Sequence, residues 1–198
     1  MVQTLLEIIT IWGLVRHPAL LSKEGTALVV IDVQERLYPH VLGKEAMLKN
    51  IVKLVSFSEK LKIPILVTEQ YPKGLGKTID ELKLFLGSCK PLEKTAFSAF
   101  GCPDFEASLK KLGAKAIVIV GIEAHVCVCQ TALDAIQRDY MVAIATDAIS
   151  SRKAEDLQAG IEKMRASGVI INTTEMVIFD ILERAGTPEF REVSPLLK

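Results

Sequence analysis

Three residues of reactive type follow short apolar runs of the sequence, and one of them is a cysteine. Cys127 stands in residues 121–128, directly after a run typical of a buried strand and in the first turn of a predicted helix. Free backbone amides and the helix dipole in such a turn lower the pKa of a thiol and favour the thiolate. The same amides can hold an oxyanion that forms when the thiolate attacks a carbonyl carbon. On position alone, a small buried hydrophobic residue is an equally good interpretation.

The other two residues are Asp32 and Lys94. Asp32 ends the apolar run 27–32, where a carboxylate costs free energy unless it is paired or catalytic. Taken singly, Asp32 is better interpreted as a structural acceptor of loop N–H groups, and Lys94 as a solvated lysine. Beside a thiol, the carboxylate can take up the proton and the ammonium can stabilise the thiolate. The functional interpretation therefore requires that all three residues meet.

Apolar strands alternating with helices must position these residues. Predicted strands lie at 27–32, 63–68, 91–94, 116–121, 141–146 and 169–172. The predicted helices are 44–62, a short one capped by Thr78, one from Pro103 to about 112, one to about 139, 153–167, and a last one opened by Thr173 or Thr174. Fully apolar strands of this kind predict a parallel sheet covered on both faces.

Right-handed crossovers turn this pattern into a three-layer α/β/α, doubly wound (Rossmann-like) sheet of about six parallel strands. No linker rich in Pro or Gly divides the chain, so one domain is expected. Ligands of such folds bind outside the carboxyl ends of the strands, near the point where the winding reverses. Asp32, Lys94 and Cys127 all follow strands, so we expect them to converge on one edge of the sheet.

The composition of the chain argues against nucleic-acid binding and favours self-association. The 198 residues are 49% hydrophobic and 24% charged, and 24 basic residues balance 24 acidic ones. A chain with zero net charge and no basic run lacks the electrostatic signature of a nucleic-acid-binding protein. The balance also leaves little repulsion against self-association, which favours a homo-oligomer.

The cysteines and the N-terminal stretch indicate the compartment. Four cysteines, at 89, 102, 127 and 129, form neither a CxxC pair nor a zinc motif. With no visible signal peptide, we expect a reduced, cytoplasmic setting. The apolar stretch 1–14 contains Glu7 and is too short to span a bilayer, so no membrane association is expected. We interpret it as an amphipathic helix that packs on the body or on a partner subunit, with an artefact as the alternative.

The motifs around the three reactive residues together resemble those of the isochorismatase-like hydrolases. They read VIDVQ around Asp32, EKTAFSAF around Lys94 and GIEAHVC up to Cys127. The stretches TEQYPKGLG at 68–76 and DAISSR at 147–152 look like the branch called isochorismatase domain-containing proteins. The resemblance covers about residues 18–190, so we divide the chain into an extension, 1–16, and a hydrolase domain, 17–198.

The resemblance implies a set of roles. The family's nucleophile, aspartate and lysine fall on Cys127, Asp32 and Lys94, and its non-proline cis peptide falls at Ile122–Glu123. The backbone N–H groups of Glu123 and Cys127 would form the oxyanion hole. Asp32 would take the thiol proton, return it to the leaving group, and then activate the water that hydrolyses the covalent intermediate.

The sequence differs from two branches of the superfamily, and each difference argues against the reaction of that branch. Nicotinamidases of this superfamily hold a metal through an Asp-x-His pair after the second strand, whereas residues 68–71 contain no histidine. The three histidines, His17, His40 and His125, lack ligand spacing. True isochorismatases need no cysteine. We therefore expect a hydrolase without metal or cofactor that acts on an amide or related C–N bond of a small molecule.

Side chains near the strand ends are candidates for the substrate pocket. Phe97, Phe100 and Tyr71 are equally well interpreted as core residues, and the competing interpretation of Glu69 and Gln70 is a solvated loop. His125 is expected at the edge of the pocket or in a structural role. The full set of predicted pocket residues is Gln34, Glu69, Gln70, Tyr71, Phe97, Phe100 and His125.

Two other functions compete with hydrolysis. A non-catalytic protein of the same fold, kept for assembly, is favoured by the apolar N-terminal stretch and disfavoured by the intact Asp32, Lys94 and Cys127. A thiol-redox protein would use a reactive Cys127. It lacks an evident resolving cysteine, because Cys129 is poorly placed to pair with so near a neighbour.

Overall fold

The structure, a computed structural model, describes residues 16–197. The predicted amphipathic helix of the N-terminal stretch lies outside the described residues. Arg16, the last residue of the predicted extension, is fixed on the body of the protein: its Nη1 donates to Glu183 Oε1 at 2.8 Å. The division of the chain into an extension and a domain stays a prediction.

Six parallel strands form one central sheet in the order β3-β2-β1-β4-β5-β6. They are β1 (Thr26–Ile31), β2 (Ile65–Gln70), β3 (Leu92–Lys94), β4 (Ala116–Ile122), β5 (Met141–Ser150) and β6 (Ile170–Asn172). In the centre, Val30 of β1 lies opposite Val67 of β2 and Val120 of β4. The chain winds outward from β1 to β3 and then returns to the other side of β1, so the winding reverses between β1 and β4. The predicted doubly wound, six-stranded sheet is confirmed.

Helices cover both faces of the sheet. They are α1 (Lys44–Leu61), α2 (Pro72–Leu75), α3 (Asp80–Lys83), α4 (Pro103–Lys111), α5 (Cys129–Ile136), α6 (Ala154–Ala166), α7 (Thr174–Leu182) and α8 (Pro188–Val193). A π-helical segment, Ala124–Val128, precedes α5, and short 3-10 turns occupy Tyr38–His40, Ala99–Gly101 and Ser194–Leu197. One core lies between the sheet and α1, α7 and α8, and the other between the sheet and α4, α5 and α6. These two cores make the three layers.

Alternation of side chains along the strands explains the two cores. In β1, Leu28 and Val30 point into the core under α1, whereas Val29 and Ile31 point into the core under α4 and α5. All six residues of β1 are buried. A strand buried on both faces has no polar face, which is why it reads as a continuous apolar run.

Several elements differ from their predicted bounds: β5 runs to Ser150 instead of ending at 146, and α5 ends at Ile136 instead of about 139. β2 is shifted toward its carboxyl end, because Glu69 and Gln70 pair with the edge strand β3. The prediction that Thr78 caps a short helix is wrong: α3 has Ile79 at its N-cap, and Thr78 forms a bridge with Gln34 instead. The last short helix, α8, was not predicted, although Thr187 caps it by accepting from the Phe190 amide.

Candidate active site

Asp32 directly follows β1, and its carboxylate is fully buried. Its backbone has a positive φ of 51°, which turns the chain sharply as the strand ends. Thr68 Oγ1, at the neighbouring position of β2, donates to Oδ1 at 2.7 Å, and Lys94 Nζ donates to Oδ2 at 2.7 Å. Both carboxylate oxygens therefore have a partner, which is the condition under which a buried charge is tolerated.

Lys94 is the last residue of β3, and its side chain is as deeply buried as that of Asp32. Besides Asp32, its ammonium group donates to Gln70 Oε1 at 2.7 Å and to the Phe97 carbonyl at 2.9 Å. These three close acceptors match the three hydrogens of an ammonium group, and the Ala96 carbonyl lies farther away at 3.4 Å. Asp32, Thr68, Gln70 and Lys94 thus form one fully hydrogen-bonded unit, here called the polar cluster.

Cys127 lies in the π-helical segment after β4, with only 6% of the residue exposed. Its thiol interacts with the Asp32 carboxylate and the Lys94 ammonium. The three residues predicted as catalytic are therefore brought together, from the ends of β1 and β3 and from the segment after β4. They meet at the carboxyl edge of the sheet, where the winding reverses and such folds bind ligands.

The expectation of a lowered thiol pKa at Cys127 is wrong. Burial, together with the negative charge of Asp32 and against a smaller lowering by Lys94, raises the pKa of Cys127 to about 12. Loss of water around the thiol and the nearby carboxylate both disfavour the charged thiolate. The thiol at rest is therefore neutral, and a base must take its proton as it attacks. Asp32 is the carboxylate that acts on this thiol.

Glu123 lies between β4 and the π-helical segment, and the Ile122–Glu123 peptide bond is cis, as expected. The Glu123 side chain accepts from Arg152, from its backbone N at 3.2 Å and its Nε at 2.9 Å. Arg152 lies in the loop between β5 and α6 and was not singled out from the sequence. Its place in the DAISSR motif was the available signal. The oxyanion-hole role of the Glu123 and Cys127 amides stays a prediction.

Three of the predicted pocket residues use their polar side-chain atoms in hydrogen bonds within the protein. Gln34 Nε2 donates to the carbonyls of Gln70 at 3.0 Å and Gly76 at 2.6 Å, and its Oε1 accepts from the Gln70 amide. Glu69 accepts from both the amide and the hydroxyl of Thr78, at 2.7 and 2.8 Å. Gln70 holds Lys94. These side chains position the polar cluster and the following loop, and their contact with substrate stays a prediction.

The other four predicted pocket residues divide between surface and interior. Tyr71 and Phe97 are each 53% exposed near the polar cluster. Phe100 instead packs edge-to-face on Phe105, with ring centres 5.0 Å apart. His125 Nδ1 lies 2.9 Å from Ser151 Oγ, which ties the cysteine segment to the loop after β5. The role of all four toward substrate remains a prediction.

Two cavities open on this edge of the sheet. One, of about 520 Å³, is lined by Arg36, Leu37, His40, Glu123 and Arg152. The other, of about 380 Å³, lies by Tyr71, Lys94 and Cys102. Among residues 16–197, no group of three or more His, Cys, Asp or Glu side chains is arranged to hold a metal ion. Within the same residues, no helix is long and apolar enough to cross a membrane.

Fold and site together define a three-layer α/β protein that carries a buried thiol, carboxylate and ammonium at its topological switch point. The isochorismatase domain matches residues 26–176. The chain belongs to the isochorismatase family.

Individual relatives agree with this membership. Isochorismatase domain-containing protein 2 of Danio rerio is 38% identical over 178 residues, which are 89% of each chain. Isochorismatase family protein 1B of Dictyostelium discoideum is 34% identical and covers 93% of this chain and 92% of its own. Among solved structures, the MAR1 ribonuclease of Caenorhabditis elegans superposes with a TM-score of 0.85 at 36% identity, covering 89% of this chain and 91% of that one.

Proposed function

We propose that this protein is a thiol hydrolase that cleaves an amide or related C–N bond of a small molecule without a metal or cofactor. Cys127 is the nucleophile, Asp32 the general base and acid, and Lys94 the cation that orients Asp32. The observation that carries the proposal is the buried Asp32–Lys94 pair, 2.7 Å apart, against the Cys127 thiol. Family membership supports hydrolase chemistry.

The reaction proceeds in two halves. Asp32 accepts the thiol proton while Cys127 Sγ bonds to the carbonyl carbon, and the oxyanion is held by the amides of Glu123 and Cys127. Collapse of this intermediate breaks the C–N bond, and Asp32 returns the proton to the leaving nitrogen. Asp32 then deprotonates a water molecule, which adds to the thioester and releases the acid. The thiol regains its proton, so the enzyme ends as it began.

A thiol of raised pKa suits this sequence of steps. A thiol that is neutral at rest resists adventitious oxidation, because the thiolate is the reactive form. It becomes nucleophilic when a bound substrate is in place and Asp32 takes the proton. Redox sensing requires a thiolate at rest, so the raised pKa of Cys127 counts against that function.

The setting of the enzyme is also part of the proposal. We place it in the cytoplasm, where thiols stay reduced, and the four cysteines are all free in the structure. The zero net charge favours assembly into a homo-oligomer.

RNA cleavage is the second candidate function, because the Caenorhabditis elegans relative is named a ribonuclease. The chain has no excess of basic residues to neutralise a phosphate backbone. We therefore rank a small molecule above RNA as the substrate. A non-catalytic assembly role is third, since a scaffold has no need of a buried ion pair against a thiol.

The deciding experiment is intact-mass spectrometry after incubation with a panel of small amides and carbamoyl compounds, with released product and RNA cleavage assayed in parallel. A covalent adduct with turnover is expected for the wild type and absent from Cys127→Ala. Cys129→Ala is the matched control, because Cys129 is also buried but neither Asp32 nor Lys94 acts on its thiol. Neither adduct nor product over a broad panel would contradict the hydrolase and favour the scaffold.

A further inference from the structure

The helix α7 carries apolar side chains on both of its faces. Its inner face packs into the core beside the sheet through Val177, Ile178, Ile181 and Leu182. On its outer face, Met176 and Phe179 lie one turn apart, are each 49% exposed, and are here called the outer stripe. A helix that is hydrophobic all round is normally buried all round. The outer stripe therefore has the character of a surface that another segment covers.

Arg16 is fixed at the carboxyl end of the same helix. Its guanidinium group donates to Glu183 Oε1 at 2.8 Å and to the Asp180 carbonyl at 2.6 Å. These two residues follow Phe179 and Met176 by four positions each, so they lie on the same side of the helix. The chain that precedes Arg16 therefore joins the described fold beside the outer stripe.

Residues 1–15, directly before Arg16, have an apolar sequence with one charged side chain, Glu7. At helical spacing, one face of this segment is formed by Leu5, Ile8, Ile9 and Trp12. A contiguous apolar surface of this kind is rarely left in contact with water. The segment therefore requires an apolar surface to pack on, and α7 offers one where the segment joins the fold.

The chain between Arg16 and the apolar segment is long enough for this contact. The helix rises about 10 Å from Met176 to Glu183. Four peptide units separate Trp12 from Arg16 and span at most about 14 Å, which brings the indole within reach of the stripe. A tether this short gives an effective concentration on the order of millimolar. It therefore favours the segment of the same chain over a second copy as the occupant.

We propose that the apolar face of residues 5–12 docks on the outer stripe of α7 in the same subunit, with Trp12 against Met176 and Phe179. An indole ring suits this surface, because aromatic rings pair with one another and with the thioether of methionine. Arg16 acts as the anchor that directs the segment onto the helix. The proposal concerns the architecture of the subunit and stands or falls independently of the proposed hydrolase.

The first test places a photo-crosslinker on the stripe of the full chain by the change Phe179→p-benzoylphenylalanine. After irradiation, we expect a crosslink to a peptide from residues 1–15 in a product that keeps the mass of one chain on a denaturing gel. A product of twice that mass would assign the stripe to a second copy. That result would overturn the proposal, and so would a stripe that forms no crosslink.

The second test uses Trp12, the one tryptophan in the chain, as a fluorescent probe. We expect Phe179→Asp to shift its emission to longer wavelength and to increase its quenching by acrylamide, because a charge on the stripe releases the indole into water. Phe179→Leu keeps an apolar side chain and should retain the emission of the wild type. This pair separates loss of the apolar contact from loss of the phenylalanine ring itself.

Phe85→Asp is the matched control. Phe85 is also an exposed phenylalanine, but it precedes β3, the strand at the opposite edge of the sheet from β6 and α7. Its emission and quenching are expected to equal those of the wild type. Unchanged fluorescence in Phe179→Asp would overturn the proposal, and so would an equal shift in Phe85→Asp.

Discussion

Two lysine–carboxylate pairs of nearly equal length lie in different parts of this protein. Lys94 and Asp32 are 2.7 Å apart at the carboxyl edge of the sheet, and both side chains are 0% exposed. Lys110 and Glu106 are 2.8 Å apart on α4, with 69% and 30% of their side chains exposed. The distances are the same within a tenth of an ångström, so the difference between the pairs lies in their surroundings.

The surroundings determine what each pair does. The exposed pair is hydrated and screened, and its loss changes little. The buried pair has lost its water and is tolerated only because Thr68, Gln70 and the Phe97 carbonyl complete its hydrogen bonds. Such a pair is an inefficient source of stability. The local order it imposes next to Cys127 is what the proposed hydrolysis requires.

The largest expected effect is that of Lys94→Met. It leaves the Asp32 carboxylate buried without its cation, which is expected to cost about 3–5 kcal/mol of unfolding free energy. Hydrolysis should disappear with it. Urea unfolding followed by circular dichroism measures the first effect, and product release measures the second.

The double variant Asp32→Asn, Lys94→Met is the control for this change. Because it removes both charges, it should recover a large part of the lost stability while remaining inactive. A double variant as unstable as Lys94→Met would show that packing, and not the unpaired charge, causes the loss.

The next effect concerns the reactivity of the thiol. With a pKa of about 12, the wild-type Cys127 should be alkylated by iodoacetamide about ten times faster for each unit of pH between 7 and 10, because the thiolate fraction rises in proportion. Asp32→Asn removes a negative neighbour and leaves Lys94, so the pKa of Cys127 should fall. Alkylation at pH 8 should therefore become about tenfold faster, while turnover is lost.

Asp104→Asn, an exposed carboxylate on α4, is the control for this measurement and should leave the alkylation rate unchanged. Opposite changes in alkylation and turnover distinguish a base from a residue that merely supports the fold. If Asp32→Asn slowed both, its role as general base would be refuted.

A smaller effect is expected at the loop next to the polar cluster. Thr78→Val keeps the shape of the side chain but removes the hydroxyl that donates to the buried Glu69 at 2.8 Å. The loss of one hydrogen bond to a buried carboxylate should cost about 1–3 kcal/mol, measured by urea unfolding. Thr95→Val, at an exposed position, should cost much less. Equal costs would mean that the Glu69–Thr78 contact contributes nothing.

The smallest effect should come from the exposed pair. Lys110→Met is expected to shift the melting temperature by no more than about 2 °C, with any shift vanishing in 1 M salt. Lys94→Met should lower the melting temperature by much more, at any salt concentration. A comparable fall for both variants would end the distinction between the two pairs.

The sequence predicted the layers of the fold and the meeting of Asp32, Lys94 and Cys127, because apolar strands define a parallel sheet and its carboxyl edge. It did not predict the raised pKa of Cys127, since that depends on burial by residues distant in the chain. The contacts of Gln34 and Glu69 were also missed, because each binds a segment more than eight residues away. Local patterns report which residues form an element, and not which partners a polar side chain will find.

The anchoring of the loop after β2 has a consequence for how this protein can be altered. Gln34 holds both Gln70 and Gly76, and Glu69 holds Thr78, so the two ends of residues 71–77 are fastened independently of what lies between. Arg36 binds the carbonyls of Gly74 and Leu75 as well, so the backbone of this stretch is held while the side chains of residues 72, 73 and 75 are free to be exchanged. Libraries confined to those three side chains test whether the loop sets the preference of the proposed hydrolase, while the polar cluster keeps its geometry.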